Sequence, residues 1–419
     1  MRKRASKEND ALSVRAEAEL YRFHKTNGFN IAFSSFIMYN INSNIVTVFI
    51  RIITVIIDYK SAAAEQEEHY MALTIYDISQ KAGVSTATVS RVLNGSGNVS
   101  PSTQKKVMDI IKEYDYIPNA FARGMGLRSL KTIGILCADS SDLFTAKAIY
   151  LLEQELQANG YESLLCCTGY NLGSRKNYLN LILSKKVDSI ILVGSNFIAT
   201  TELENEYINE AASHVPIMLL NASYGCPNVY STLCDDRASM YEAASAMIRS
   251  GISDLIYIYN SGSYSGLKKL RGFQSALEEN GIAPSDKNIF FYDGKPDSTS
   301  DIADFTEHIS ASGITFHGLL AADDSLAIGG VKYAQRRGLR IPEDFSVIGY
   351  NNSILTTCCT PELTSVDNCL ETMTHQLVQT LLHVLADEEM PKKVVFSGKL
   401  IERGTTRFQQ SAPYGQNAR

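Results

Sequence analysis

The sequence predicts an α/β protein built from two unlike modules. Three short helices pack as one unit, and a large two-lobed module of doubly wound parallel sheets follows. Three observations carry that prediction. A chain of 419 residues, 45% apolar and 20% charged, has globular composition and is too long for one ordinary domain. Its charge is unevenly placed: Met71–Lys131 holds eight basic and four acidic side chains, residues 1–70 hold nine and eight, and residues 132–419 are left with −11 of an overall −6. The hydrophobic period also changes, from helical spacing after Met71 to alternating short apolar runs and amphipathic stretches from Thr132 onward. A small basic module joined to a large acidic one implies a polyanionic partner for the first.

Residues 1–70 fit neither module. Within residues 29–57 the strongest apolar run, Ile45–Ile57, is 13 residues long and contains Arg51. A membrane-spanning helix needs about 20 apolar residues. Spanning with all of 29–57 would place Asn40, Asn42, Asn44 and Arg51 in lipid. The small-residue cleavage site of a signal peptide is missing as well. Met71 directly precedes the first well-patterned segment, so residues 1–70 are expected to be an extension that is not native or is disordered. The alternative is a membrane tether.

Residues 71–118 are the helical module. In TIYDISQKAG, Ile75, Ile78 and Ala82 fall at helical spacing, and Gly83 allows the chain to turn with φ > 0. Ser85 is a candidate N-cap for a second helix with Val89, Val92 and Leu93 on its inner side. A third helix opens at SPSTQKK, with Ser100 as cap and Pro101 as first residue, and Val107, Ile110, Ile111 and Tyr114 form its core face. Three short helices with a tight turn between the first two make a helix-turn-helix unit, whose second helix is free to enter a major groove. Its outer face carries Thr86, Ala87, Ser90 and Arg91. Ser85 and Thr86 can meet phosphate at the helix N-terminus, and Arg91 can pair with guanine O6 and N7.

The segment TIYDISQKAGVSTATVSRVLNGSGNVSPSTQKKV, continuing through YIPNAFARGMGLRSLKTIGIL, closely resembles the DNA-binding region of the lactose-repressor (LacI/GalR) family of bacterial transcription regulators. The likeness extends more weakly to about Thr406. The family's DNA contacts then fall on Thr74, Ser85, Thr86, Ala87, Ser90, Arg91, Asn94, Asn119, Arg123 and Met125. The resemblance makes residues 119–131 a hinge that becomes helical on operator DNA. Two hinges from a dimer enter the minor groove, and an apolar side chain from each wedges a central CpG step. Met125 stands at the wedge position, between Gly124 and Gly126. A helix of so few residues does not form alone, since isolated helices need about 12–15, and each glycine costs about 1 kcal/mol more.

Residues 132–406 supply the large module, and residues 407–419 a tail. Apolar runs (TIGILCA, ESLLCCT, SIILVG, IMLL, LIYIY, IFFY, GLLAAD, FSVIGY) alternate with helical stretches such as 145–159, 237–250, 267–280 and 325–337. That pattern means parallel sheets covered by helices, and its length requires two lobes. Ligands in such folds sit beyond the carboxyl ends of the strands. The polar residues there are Asp139, Asp142–Phe144, Ser195–Asn196, Asn221, Asp235–Asp236, Asp323–Asp324 and Asn351–Asn352. The resemblance implies a periplasmic-binding-protein-like sensor that dimerises and binds a small effector, such as a sugar. The expected effector set is Asp142, Phe144, Asn196, Asn221, Asp235, Lys269, Asp324 and Asn351. Lys269 stands where the family has an arginine, and Asn351 where it has an aspartate. Phe144 and Tyr264 are the candidate stacking surfaces, as the chain has no tryptophan.

Eight cysteines lack any C-x-x-C pair and suit a reducing cytoplasm. Phosphate-binding glycine loops, zinc-protease and nucleophile-elbow motifs are missing. Neither catalytic residues, nor metal, nor cofactor are expected. The expected function is a sequence-specific transcriptional regulator, a repressor bound to double-stranded operator DNA as a homodimer, with a tetramer as the alternative assembly. The competing reading is a membrane-anchored solute-binding protein.

Overall fold

The computed structural model describes residues 74–93, 99–114, 116, 129–295 and 298–408. Among the predicted DNA contacts, Asn94, Asn119, Arg123 and Met125 lie outside the described residues, as do the extension 1–70 and the tail from 409. By its internal contacts the chain divides into two compact units, 1–118 and 119–419.

In the first unit the helices are α1 (Ile75–Ala82), α2 (Thr86–Leu93) and α3 (Pro101–Glu113). Thr74 and Asp77 cap α1 reciprocally: the Asp77 amide donates to Thr74 Oγ1, and Asp77 Oδ2 accepts from the Thr74 amide at 2.7 Å. Gly83 ends α1 at φ +64°, and the amides of Gly83 and Val84 return to the carbonyls of Gln80 and Ser79. Ser85 and Ser100 cap the next two helices through the amides of Thr88 and Thr103. Ile78, Ala82, Val89, Val92 and Val107 close the core with Tyr116. Tyr114 was expected in that core. It instead forms the C-cap of α3, 40% exposed under the Lys81 ammonium at 4.3 Å, while Tyr116, two residues on, is buried.

The second unit contains two six-stranded sheets. The first lobe holds β1 (Thr132–Cys137), β2 (Glu162–Cys167), β3 (Ser189–Val193), β4 (Ile217–Leu220), β5 (Val229–Cys234) and β11 (Lys393–Phe396), in the order β11-β5-β4-β3-β1-β2 and all parallel. The second holds β6 (Leu255–Tyr259), β7 (Ile289–Phe291), β8 (Gly318–Ala321), β9 (Ser346–Tyr350), β10 (Thr364–Asp367) and β12 (Lys399–Ile401), in the order β12-β10-β9-β8-β6-β7, with β12 antiparallel. Both faces of the first sheet are covered: α4 (Leu143–Ala158) and α11 (Leu370–Leu385) lie on one, and α5 (Leu172–Ser184) and α6 (Glu202–Ala212) on the other. In the second lobe α7 (Asp236–Arg249), α8 (Tyr264–Glu279), α9 (Thr299–Ala311) and α10 (Asp324–Arg337) enclose one continuous core. Buried parallel strands account for the apolar runs of β1, β3, β4, β6, β8 and β9, whereas the edge strands β2 and β7 leave Leu164, Leu165 and Phe291 exposed.

The chain passes between the lobes three times: after β5, between β10 and α11, and between β11 and β12. These crossings touch one another. The Asp235 amide donates to Phe396 O, the Gly398 amide to Ser239 Oγ at 3.1 Å, and Cys369 Sγ to Ser397 O. A Cβ at Gly398 would collide with Ser239, so only glycine permits this approach.

Candidate nucleic-acid interface and ligand cleft

The outer face of α2 is available because its inner face is fully used. Val89 and Val92 are buried, whereas Ala87 and Arg91 are exposed and Thr86 and Ser90 half-exposed. Positions 87 and 91 are one turn apart, as are 86 and 90, so the four share a face. Ser85 Oγ accepts from the Thr88 amide and also meets Thr88 Oγ1 at 2.9 Å, so its hydroxyl serves the helix end. Thr74 is likewise engaged in its capping box. Tyr76, 69% exposed beside that box, went unread in the sequence. The available signal was an aromatic residue off the Ile75–Ile78–Ala82 stripe of a short helix. Lys105 and Lys106 on α3 are exposed.

Between the lobes lies a cleft of about 1500 Å³. Asp142, Phe144, Asn196, Asn221, Lys269, Asp324 and Asn351 all line it, together with Tyr264. Their side chains differ in what they have left to offer. Asp142 caps α4, accepting from the Thr145 amide and hydroxyl at 2.8 Å. Asn196 sits in the short 3-10 turn after β3. Asn351, at φ +92°, accepts from Asn368 Nδ2 at 2.9 Å. Asp324 is 2% exposed and accepts from Ser365 Oγ and the Ser353 amide, both at 2.6 Å; burial pushes its carboxyl up to about 6.

Two placements differ from expectation. Asp235 does not line the cleft: it is exposed at the first crossing, where it caps α7 through the Ala238 amide. The strand-end rule presumes that a chain returns to its own sheet, and after β5 it leaves for the other lobe. Lys269 lines the cleft with its ammonium already committed, donating to Ala322 O at 2.9 Å and lying 3.9 Å from the Tyr350 ring centre. It also offsets Asp236, whose carboxyl is pushed up by burial and held by Ser265 Oγ at 2.6 Å and Tyr350 OH at 2.7 Å. A lysine reaches this buried carbonyl as a point charge, a use unlike that of a guanidinium fork.

Other lining residues were not singled out from the sequence. Tyr170 and Arg175 enter from the β2–α5 connection and α5, and Ser261 and Ser263 from the start of α8. Ser195 Oγ of the first lobe donates to Ser263 Oγ of the second at 2.9 Å. Positions on a helix flank or in a long connection carry no strand-end signal. Among the described residues no helix is long and apolar enough to cross a membrane.

Comparison with known proteins agrees with this architecture. Residues 74–119 match the family described as bacterial regulatory proteins, lacI family, and residues 244–406 match a periplasmic binding protein-like domain. An HTH-type transcriptional regulator of Lachnoclostridium phytofermentans is 50% identical over 336 residues, which is 80% of this chain and all of the relative. Catabolite control protein A of Priestia megaterium is 32% identical over 71% of this chain and 87% of its own length. Among solved structures, the Lac repressor dimer bound to operator and the anti-inducer ONPF superposes with a TM-score of 0.70 at 22% identity, covering 80% of this chain and 98% of that one. The complex of the transcriptional regulator CelR with cellobiose gives 0.58 at 23%, covering 80% of this chain and all of the other. With an exposed reading helix in the first unit and this identity over whole relatives, the chain belongs to the LacI family of bacterial regulatory proteins and is a DNA-binding transcriptional regulator, not an enzyme.

Proposed function

We propose that this regulator binds a pseudo-palindromic operator as a homodimer, represses from it, and is controlled by a sugar-like effector held between the lobes. The observation that carries the reading is the pairing of a helix whose polar face is unburied with a cleft whose walls are joined by three chain crossings. In the complex, Arg91 reads a guanine, Ala87 and Ser90 line the groove floor, and Thr86 meets phosphate. Asn94, Asn119, Arg123 and Met125 take the contacts that the family resemblance assigns to them. An effector acts only through its different affinities for the two arrangements of the lobes. The reading places the protein in the cytoplasm, where its DNA is.

In-vitro selection from random duplex DNA with the full chain tests this. Enrichment of a palindrome centred on CpG is the expected result, and its occupancy should change with saccharide. A folded, dimeric protein that enriches no sequence, with or without a saccharide mixture, refutes the reading. A membrane-anchored solute-binding protein would give that second result while still binding sugar.

A further inference from the structure

A buried polar atom without a partner costs free energy, so such atoms in a cleft wall indicate where a ligand's own polar groups belong. Most polar groups of the second lobe are already spent, Ser353 Oγ being the cleft-lining exception. Lys269 serves Ala322 O, Asp324 serves Ser365 and Ser353, and Asp323 accepts from the Leu326 amide and Asn260 Nδ2. The first lobe differs. Asn221 is 6% exposed, and its Oδ1 is buried with no hydrogen-bond partner. Arg175 Nε is likewise buried and unpaired, and both residues line the cleft.

Both groups are held in place by their surroundings. Asn221 follows β4 at φ +63°, with its amide donating to Thr232 O at 2.9 Å. The Arg175 guanidinium lies 6.0 Å from the Phe197 ring centre, and its Nη2 donates to Tyr170 O at 2.6 Å. We infer that Arg175 Nε and Asn221 Oδ1 are the specificity pair of the first lobe, one donor and one acceptor that read hydroxyls of a neutral polyhydroxylated ligand in preference to its phosphorylated or carboxylated derivative. A guanidinium binds an oxyanion best through two parallel N–H groups. Nη2 already gives one of its two N–H groups to the Tyr170 carbonyl, so an oxyanion would have to share that nitrogen. Asp139 and Asp142 line the same lobe and add negative charge against an anion. A hydroxyl, which both accepts and donates, matches the two atoms without a charge of its own.

The inference rests on the cleft being the effector site, and the experiment separates the two. Thermal unfolding of the full chain is followed with glucose, galactose, cellobiose, glucose 6-phosphate and glucuronate. Titration calorimetry then measures the best neutral sugar against Arg175→Met and Asn221→Gly. A neutral sugar should raise Tm more than its charged derivative. Each variant should weaken that sugar by about tenfold or more, with operator binding in its absence unchanged; Arg175→Met lowers the ligand-free Tm by the lost Tyr170 bond, so its affinity is compared below that Tm. Asn221→Asp, which keeps the acceptor oxygen, checks for misfolding and should retain most of the affinity. Unchanged sugar affinity in Arg175→Met and Asn221→Gly overturns the pair and leaves the effector reading standing. Stabilisation by the charged sugars alone overturns the preference for neutral ligands. No shift with any saccharide overturns the sugar reading, and this inference with it.

Discussion

Arg91 concentrates the base reading of the first unit in one side chain. It is exposed on α2, and no described acidic residue pairs with it. A bidentate arginine–guanine pair discriminates by about 1–3 kcal/mol. Arg91→Ala should therefore flatten base preference at one position of each half-site in a competitive binding assay. Lys105→Ala or Lys106→Ala should instead weaken operator and random DNA alike, lowering the salt slope by about one for a lost phosphate contact. Equal losses on both DNAs for Arg91→Ala would remove its assigned role. Asp324 gives a second prediction at this scale. Its carboxyl is raised from 3.8 to about 6 by burial, so the folded state binds its proton more tightly than the unfolded chain does. That contribution is complete below the unfolded value and is lost as pH rises through 6. Asp324→Asn cannot titrate, so wild type should gain on it by roughly 1.4 kcal/mol per pH unit between about 6 and 4. Unfolding at pH 7, 6 and 5 measures the difference, and a constant gap would contradict the assignment.

Helices and strands show where local rules suffice. Ser100, Pro101 and Gly83 act at short range, and the three helices they punctuate were legible from spacing alone. Gly83 sits at φ +64°, so Gly83→Ala should destabilise the first unit by about 1 kcal/mol. Hydrogen exchange of α1 and α2 amides should speed up accordingly, while the second unit stays unchanged. The eight apolar runs fall on strands, and the helices begin one to three residues before their apolar spacing because caps such as Asp142, Asp235 and Ser263 precede it. β5 was harder to read: its Tyr230, Ser231 and Thr232 are buried by neighbouring strands on both sides, which composition does not announce. Tyr114 leaves the core because the helix ends at Glu113 and Tyr114 is its cap, and Tyr116 is buried in its place. The cleft's outline was legible from strand ends, and its free valences were not. Whether Lys269, Asp324 or Arg175 has a hydrogen bond to spare depends on partners 5 to 53 residues away.

For the whole sensing unit, the Ser195–Ser263 hydrogen bond is a direct hydroxyl link between the two cleft walls. One such bond contributes about 1 kcal/mol, or roughly fivefold in the balance of open and closed lobes. Ser195→Ala should enlarge the radius of gyration of the ligand-free chain in small-angle scattering and weaken effector binding by a similar factor. An unchanged scattering profile would mean that the crossings alone set the lobe angle. Those crossings also decide how this protein can be recombined. The reading helices lie in one uninterrupted stretch, so a gene fusion near residue 118 can give the sensor a new address in a single cut. Neither lobe is a stretch of chain in that sense: the first is completed by α11 and β11, after most of the second has been made. Exchanging one lobe with a relative therefore takes three junctions, all meeting around Asp235, Asn368 and Gly398, and a ribosome must hold the first sheet without its last strand until nearly the end of translation.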